Sequence, residues 1–222
     1  MMLNSIFPYR FQLYFYSQLS IVFGSLIFPV KFFDTVMMPI LLLSNILCGV
    51  LLVSEQQIKL RLYLGVFLVL MILYILSLLQ IELQSYHYLK LVLYSIFYIS
   101  ITNDIIKQVW YAKRVTKNTI FGLMSGYMAL GLVFFFIFTA IEIFYNGSFS
   151  QIKFADGNVS STMNTLLYFS YVTMMTLGYG DIVPLTEVAQ KAAILCGLVG
   201  QFYLVIVTAI IVGKYIKHIT ED

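Results

Sequence analysis

Six runs of apolar residues recur along this chain, each near the length that crosses a bilayer. A hydrocarbon core about 30 Å thick takes roughly 20 residues of helix. Lipid offers no partners for backbone polar groups, so a spanning segment must satisfy them internally. The runs are residues 11–30, interrupted by Gln12 and Gln18 and closed by Pro29, then 37–53 (the shortest), 62–81, 89–110, 120–144 and 192–216. Hydrophobic residues make up 61% of the 222 positions and charged ones only 10%, against about 25% charged in soluble domains. The chain is therefore expected to be an integral membrane protein in a lipid bilayer. Its net charge of +3 is read as topology and not as a signal for nucleic acid. Residues 1–30 lack a charged leader and a small-residue cleavage site, so the first run is expected to remain as an anchor. Cys48 and Cys196 both fall inside apolar runs, where small buried hydrophobes are expected in preference to a disulfide or metal pair.

Six spans put both termini on one side. That side receives Arg10, Lys59, Arg61, Lys107, Lys113, Arg114, Lys117, Lys214 and Lys217; the other keeps Lys31, Lys90, Lys153 and Lys191. Cytoplasmic loops carry the excess of Lys and Arg. Both termini are thus expected in the cytoplasm, and the segment between the fifth and sixth runs opens outward. That segment starts with a polar loop, residues 145–160, marked by the turn signals Asn146-Gly147 and Asp156-Gly157. Residues 162–175 follow as a half-membrane helix, and then comes Thr176-Leu177-Gly178-Tyr179-Gly180-Asp181. A bare Gly-Tyr-Gly-Asp also suits an ordinary turn between helices.

The full string, flanked on both sides by apolar spans, resembles the selectivity-filter signature of potassium channels. The residue types fit that resemblance physically. A K⁺ ion must shed its water and meet replacement oxygens, and a run of carbonyls facing one side supplies them. Such a run needs a backbone that alternates in handedness, which glycine permits at no steric cost. Gly178 and Gly180 stand two apart, as that alternation requires. By the resemblance, K⁺ is the transported ion and no organic cofactor is involved. The ligands would be the carbonyls of Thr176, Leu177, Gly178 and Tyr179, with the Thr176 hydroxyl at the inner end. Gly180 and Asp181 complete the filter, and Tyr168, Phe169, Ser170 and Tyr171 form the cuff around it. The C-terminal end of the half-membrane helix would point its partial negative charge at a cation.

One filter per chain implies a homotetramer. The fold class expected is an all-α membrane protein with six transmembrane helices, a re-entrant pore helix and a filter between the fifth and sixth. Residues 1–110 would form a four-helix domain like a voltage sensor without sensor charges. Residues 111–222 would form the pore domain, with outer helix 120–144, pore helix 162–175, filter 176–181 and inner helix 192–216. Gly200 falls at the family's hinge position, with a hinge or close-packing role; below it Val205, Thr208, Ala209 and Val212 would line the inner pore. Leu177 stands where the family most often has valine, Met175 where threonine is common, and Val172 where some relatives have a glutamate facing the aspartate. Asp181 would then pair with Tyr171 or a water. No basic residue lies between Leu91 and Ile106, whereas a sensor needs several. Asp104 is expected to pair with Lys107.

No cluster of His, Cys or acids lies in the spans at catalytic or metal-ligand spacing, so the chain is not expected to be an enzyme or to take a soluble substrate. The expected function is a K⁺-selective channel of the plasma membrane that is not voltage-gated. Two alternatives stay open: a non-selective cation channel of the same fold, or a regulatory subunit that co-assembles with other channel chains.

Overall fold

The first described α-helix is closed by Gly24. This helix, α1 (Arg10–Phe23), buries Phe11, Tyr14, Phe15, Gln18 and Ile21, one stripe at helical spacing. A Cβ on Gly24 would stand 2.5 Å from the Phe33 ring, so a glycine lets the next helix pack closely where α1 passes into a 3-10 turn, Gly24–Leu26. The α-helical part is 14 residues long, about 21 Å at 1.5 Å per residue. It is shorter than the expected span 11–30.

A computed structural model describes residues 7–29, 32–54, 56–79, 84–112, 114–152 and 159–221. The Asp156-Gly157 turn and the topology-bearing Lys31, Lys113 and Lys153 lie outside the described residues. The second helix, α2 (Phe33–Leu52), opens with a π turn at Phe33–Met37. Pro39 explains it: its ring crowds the carbonyl four residues back and it has no N–H to give that carbonyl, so a wider turn relieves the conflict. Then follow α3 (Gln57–Leu78), α4 (Gln84–Trp110), α5 (Lys117–Phe144) and α6 (Val159–Met174). The last segment is α7 (Glu187–Phe202), continued by a π turn at Tyr203–Val207 and α8 (Thr208–Glu221).

The described chain is all-helical apart from one isolated antiparallel bridge, Phe149 to Pro184. Among the described residues five helices are long and apolar enough to cross a membrane: Phe33–Leu52, Gln57–Leu78, Tyr86–Trp110, Lys117–Phe144 and Glu187–Ile216. The expectation was six; α1 falls short. The chain divides into two compact units, Met1–Met128 and Ala129–Asp222, the division falling within α5.

In the first unit, polar side chains tie the helices where lipid gives no hydrophobic drive for association. Tyr98 donates its hydroxyl proton to Asn45 Oδ1 (2.9 Å), and Asn45 Nδ2 donates to Ser17 Oγ (2.7 Å). Three helices meet at that fully buried asparagine. Bonds of this kind contribute about 0.6 kcal/mol each in membrane proteins. Gly49 supplies the room for Phe97, since a Cβ there would stand 2.7 Å from its ring. Asp104, 4% exposed, pairs with Lys59 of α3 and lies 3.1 Å from the Tyr63 hydroxyl. The expected partner on its own helix, Lys107, is therefore replaced by one on a neighbouring helix. The reason is burial: Asp104 faces inward, and charges taken out of water need a partner inside.

Candidate functional site

Helix α6 ends by turning its own last carbonyls inward. Leu177 N–H donates to the Val172 carbonyl (3.0 Å) and Thr176 N–H to the Thr173 carbonyl (3.0 Å). These six-to-one and five-to-two bonds make a Schellman motif, whose first residue beyond the helix adopts the left-handed conformation. Glycine normally stands there. Here it is Thr176, with φ +60°. A β-branched residue in this region is strained by roughly 1–2 kcal/mol.

Beyond Thr176 the left-handed state recurs at every second residue: Gly178 at φ +52° and Gly180 at +80°. Such alternation turns successive carbonyls toward one side, which no helix or ordinary strand does. The two glycines are needed for φ; within its own chain an added Cβ on either would meet nothing within 4 Å. Leu177 and Tyr179 are exposed in the single chain, Tyr179 at 70%.

The four cuff positions do four different things. Tyr168 donates its hydroxyl proton to Asp181 Oδ2 (2.8 Å), while Asp181 Oδ1 accepts from the Ile182 N–H (3.0 Å). The hydrogen bond to Asp181 holds the Tyr168 phenol above its ordinary value, so Tyr168 stays the donor. The aspartate's partner is thus Tyr168 and not the expected Tyr171, because Tyr171 turns to the other face of α6. There its ring fills the gap at Gly131 of α5, where a Cβ would lie 2.3 Å from the ring. Phe169 is buried against Phe138 and Phe149, with ring centroids 5.0 and 5.2 Å away. Ser170 is fully buried; its hydroxyl donates back to the Leu167 carbonyl (2.8 Å), and its carbonyl accepts from Cys196 Sγ (3.6 Å). Both cysteines are free thiols.

The Asp181 end of the segment is sewn to the loop after α5. Leu185 N–H donates to the Ser148 carbonyl (2.7 Å) and Ser150 N–H to the Val183 carbonyl (2.9 Å). Fully buried Glu142 anchors that loop by accepting from the N–H groups of Gly147 (2.8 Å) and Phe149 (3.1 Å). Thr186 then caps α7, its hydroxyl oxygen accepting from Ala189 N–H (3.4 Å). Sequence reading missed Glu142, Gly131 and Gln201. Glu142 had a signal, a carboxylate at the end of an apolar run just before Asn-Gly; Gly131 had none.

At the Thr176 end, Gly200 lets α7 touch the end of α6. A Cβ on it would stand 2.5 Å from the Met174 carbonyl oxygen. The helix runs regularly through Gly200, and its departure from α geometry comes at Tyr203–Val207. Val205, Thr208, Ala209 and Val212 are all exposed in the single chain. Gln201, next to Gly200, donates from Nε2 to Thr176 Oγ1 (3.2 Å). Among the described residues no three His, Cys, Asp or Glu side chains cluster as a metal cage would.

Residues 130–217 match the family model described as "Ion channel". That stretch contains the end of α5, α6, the alternating segment and α7. The human potassium voltage-gated channel subfamily A member 6 is 26% identical over 93 residues, 42% of this chain and 18% of that protein. The Caenorhabditis elegans potassium voltage-gated channel protein shk-1 is 30% identical over 87 residues, 39% of this chain and 16% of that protein. Human subfamily A member 7 is 28% identical over 94 residues, 42% and 20%. The chain spans a fifth or less of the length of these relatives. No solved structure matches it.

Proposed function

We propose, on the premise that this chain belongs to the potassium channel family through residues 130–217, that four copies ring an axis and conduct K⁺ selectively. The observation that carries the reading is the left-handed conformation at Thr176, Gly178 and Gly180, directly after a capped helix end. In a ring of four, the carbonyls of Thr176, Leu177, Gly178 and Tyr179 replace the ion's water, with the Thr176 hydroxyl at the inner end. The negative end of each α6 faces the same axis and favours a cation. Glu142, Tyr168 and the Phe138–Phe149–Phe169 rings hold the outer half of the filter in place. This matters because irregular backbone at membrane depth must be buried in protein or line water. Close packing at Gly200 makes the inner helix rigid against α6, and bending belongs to the π turn one helical turn further on.

The membrane reading keeps six segments. Together α1 and its 3-10 turn reach about 27 Å, near the thickness of a hydrocarbon core. Both termini then lie in the cytoplasm of a plasma-membrane protein, and the Tyr179 end opens outside. The relatives' printed names call them voltage-gated. Here the absence of basic residues from Leu91 to Ile106 supports a pore with little voltage dependence of its own.

Reconstitution of the purified chain into liposomes tests the pore. Reversal potentials should follow the K⁺ gradient and largely ignore Na⁺. Gly178→Ala should remove conduction, because Ala strains the left-handed backbone by about 1–2 kcal/mol in each of four subunits. A wild-type chain that passes Na⁺ as readily as K⁺ would indicate the non-selective alternative. Silence relieved only by a second channel chain would indicate a regulatory subunit.

A further inference from the structure

We propose that Gln201 is a positioning residue for the innermost cation site: its side-chain amide holds the Thr176 hydroxyl and keeps that site weak. The inference rests on the pore reading above. Gln201 Nε2 lies 3.2 Å from Thr176 Oγ1, and both ends of this contact are set by backbone. At one end, Gly200 brings α7 so close to the Met174 carbonyl that a Cβ would not fit, which carries the next side chain to the end of α6. At the other, the Schellman bonds and φ +60° hold Thr176 in one orientation.

The surroundings make an amide conspicuous. Leu198, Phe202, Leu204 and Val205 around it are apolar and exposed in the single chain, and Gln201 is exposed as well. A polar side chain in a membrane span faces a partner or a water-filled cavity and not lipid. In a four-fold ring, four Gln201 amides would therefore border the cavity below Thr176.

The consequence follows from counting lone pairs. A threonine hydroxyl has two acceptor sites and one proton. The Gln201 N–H occupies one acceptor and brings the positive end of the amide dipole to the inner mouth. Each hydroxyl then has one lone pair left for the ion. Conduction requires binding weak enough for the ion to leave, and Gln201 supplies that weakness at the inner exit.

Ba²⁺ block of the full-length chain in planar bilayers tests this, since a divalent ion of nearly K⁺ size competes for dehydrated sites. Gln201→Leu should tighten block from the Thr176 side roughly five-fold, the size of one neutral hydrogen bond. Block from the Tyr179 side should stay within about two-fold, because those carbonyls do not touch the amide. Gln201→Glu, which keeps the shape but only accepts and carries charge, should tighten inner block by about ten-fold or more. In a Thr176→Ala background the effect of Gln201→Leu should vanish. Unchanged or weakened inner block in Gln201→Leu overturns the proposal; if that variant does not assemble, the same outcome in Gln201→Glu overturns it. A wild-type chain that passes no cation removes the pore reading and this inference together. Wild-type conduction with unaltered block in the variants removes this inference alone.

Discussion

Thr176 carries backbone strain that its glycine neighbours do not. At φ +60° its Cβ crowds the following carbonyl, and the hydroxyl is the only visible gain. Thr176→Gly should therefore stabilise the pore half by about 0.5–1 kcal/mol, the strain relieved less the extra entropy glycine loses on folding. On the proposed four-fold reading the same change should weaken K⁺ over Na⁺ discrimination, because each chain then loses its hydroxyl at the inner end. Thermal melting in detergent and bi-ionic potentials measure the two effects separately. A variant that melts lower than wild type would mean that the hydroxyl contributes more to the fold than the strain costs. At this scale the sequence was legible for Gly178 and Gly180, whose residue type is dictated by φ. It was misleading for Asp104 and Asp181. Both carboxylates chose partners, Lys59 and Tyr168, that sequence proximity or family pattern did not single out.

Among the elements, α6 and the segment after it depend on a loop they do not contain. Glu142 at the end of α5 accepts from the N–H groups of Gly147 and Phe149. That loop in turn bonds the backbone of Val183 and Leu185. Glu142→Ala leaves a buried Phe149 N–H without an acceptor, a cost of roughly 1–3 kcal/mol. Amide hydrogen exchange should accelerate at Ser150, Val183 and Leu185 while the middle of α7 keeps its protection. Uniform acceleration across both segments would mean that the carboxylate holds the whole pore half and not the outer loop. The helices themselves were legible from apolar runs, and their starts were less so. Each of α2 to α5 begins three to five residues before the run that announces it, since helical backbone continues into polar flanks that hydropathy does not mark.

For the whole molecule, the proposed reading makes the one alternating segment of each chain a single wall of a pore. Native mass measurement in mild detergent should find four chains in a closed ring; dimers alone would contradict the proposal. Voltage dependence belongs to this scale too. Moving one charge per subunit through 100 mV gives about 2.3 kcal/mol, so four subunits yield about 9 kcal/mol, whereas steep gating uses three to four charges in each. Lys90 and Lys107 flank the stretch of α4 that holds no basic residue, near its ends, where the field is slight. Open probability should therefore change gradually between about −100 and +100 mV. A steep curve that survives Lys90→Gln and Lys107→Gln would place the sensor elsewhere in the chain.

Membrane residence, the helical class and the position of the alternating segment followed from sequence alone, because each depends on local physics. Apolar length sets the spans, and glycine spacing marks where the backbone can turn left-handed. Which side chains hold that segment was decided only in three dimensions. Gly131 is needed because the Tyr171 ring arrives there from forty residues away, and Glu142 matters because a distant strand-like segment leans on its loop. Gln201 reaches Thr176 because Gly200 removes the one Cβ that would keep the helices apart. These are contacts between parts far apart in sequence, and a linear pattern of residue types holds no record of which parts will touch.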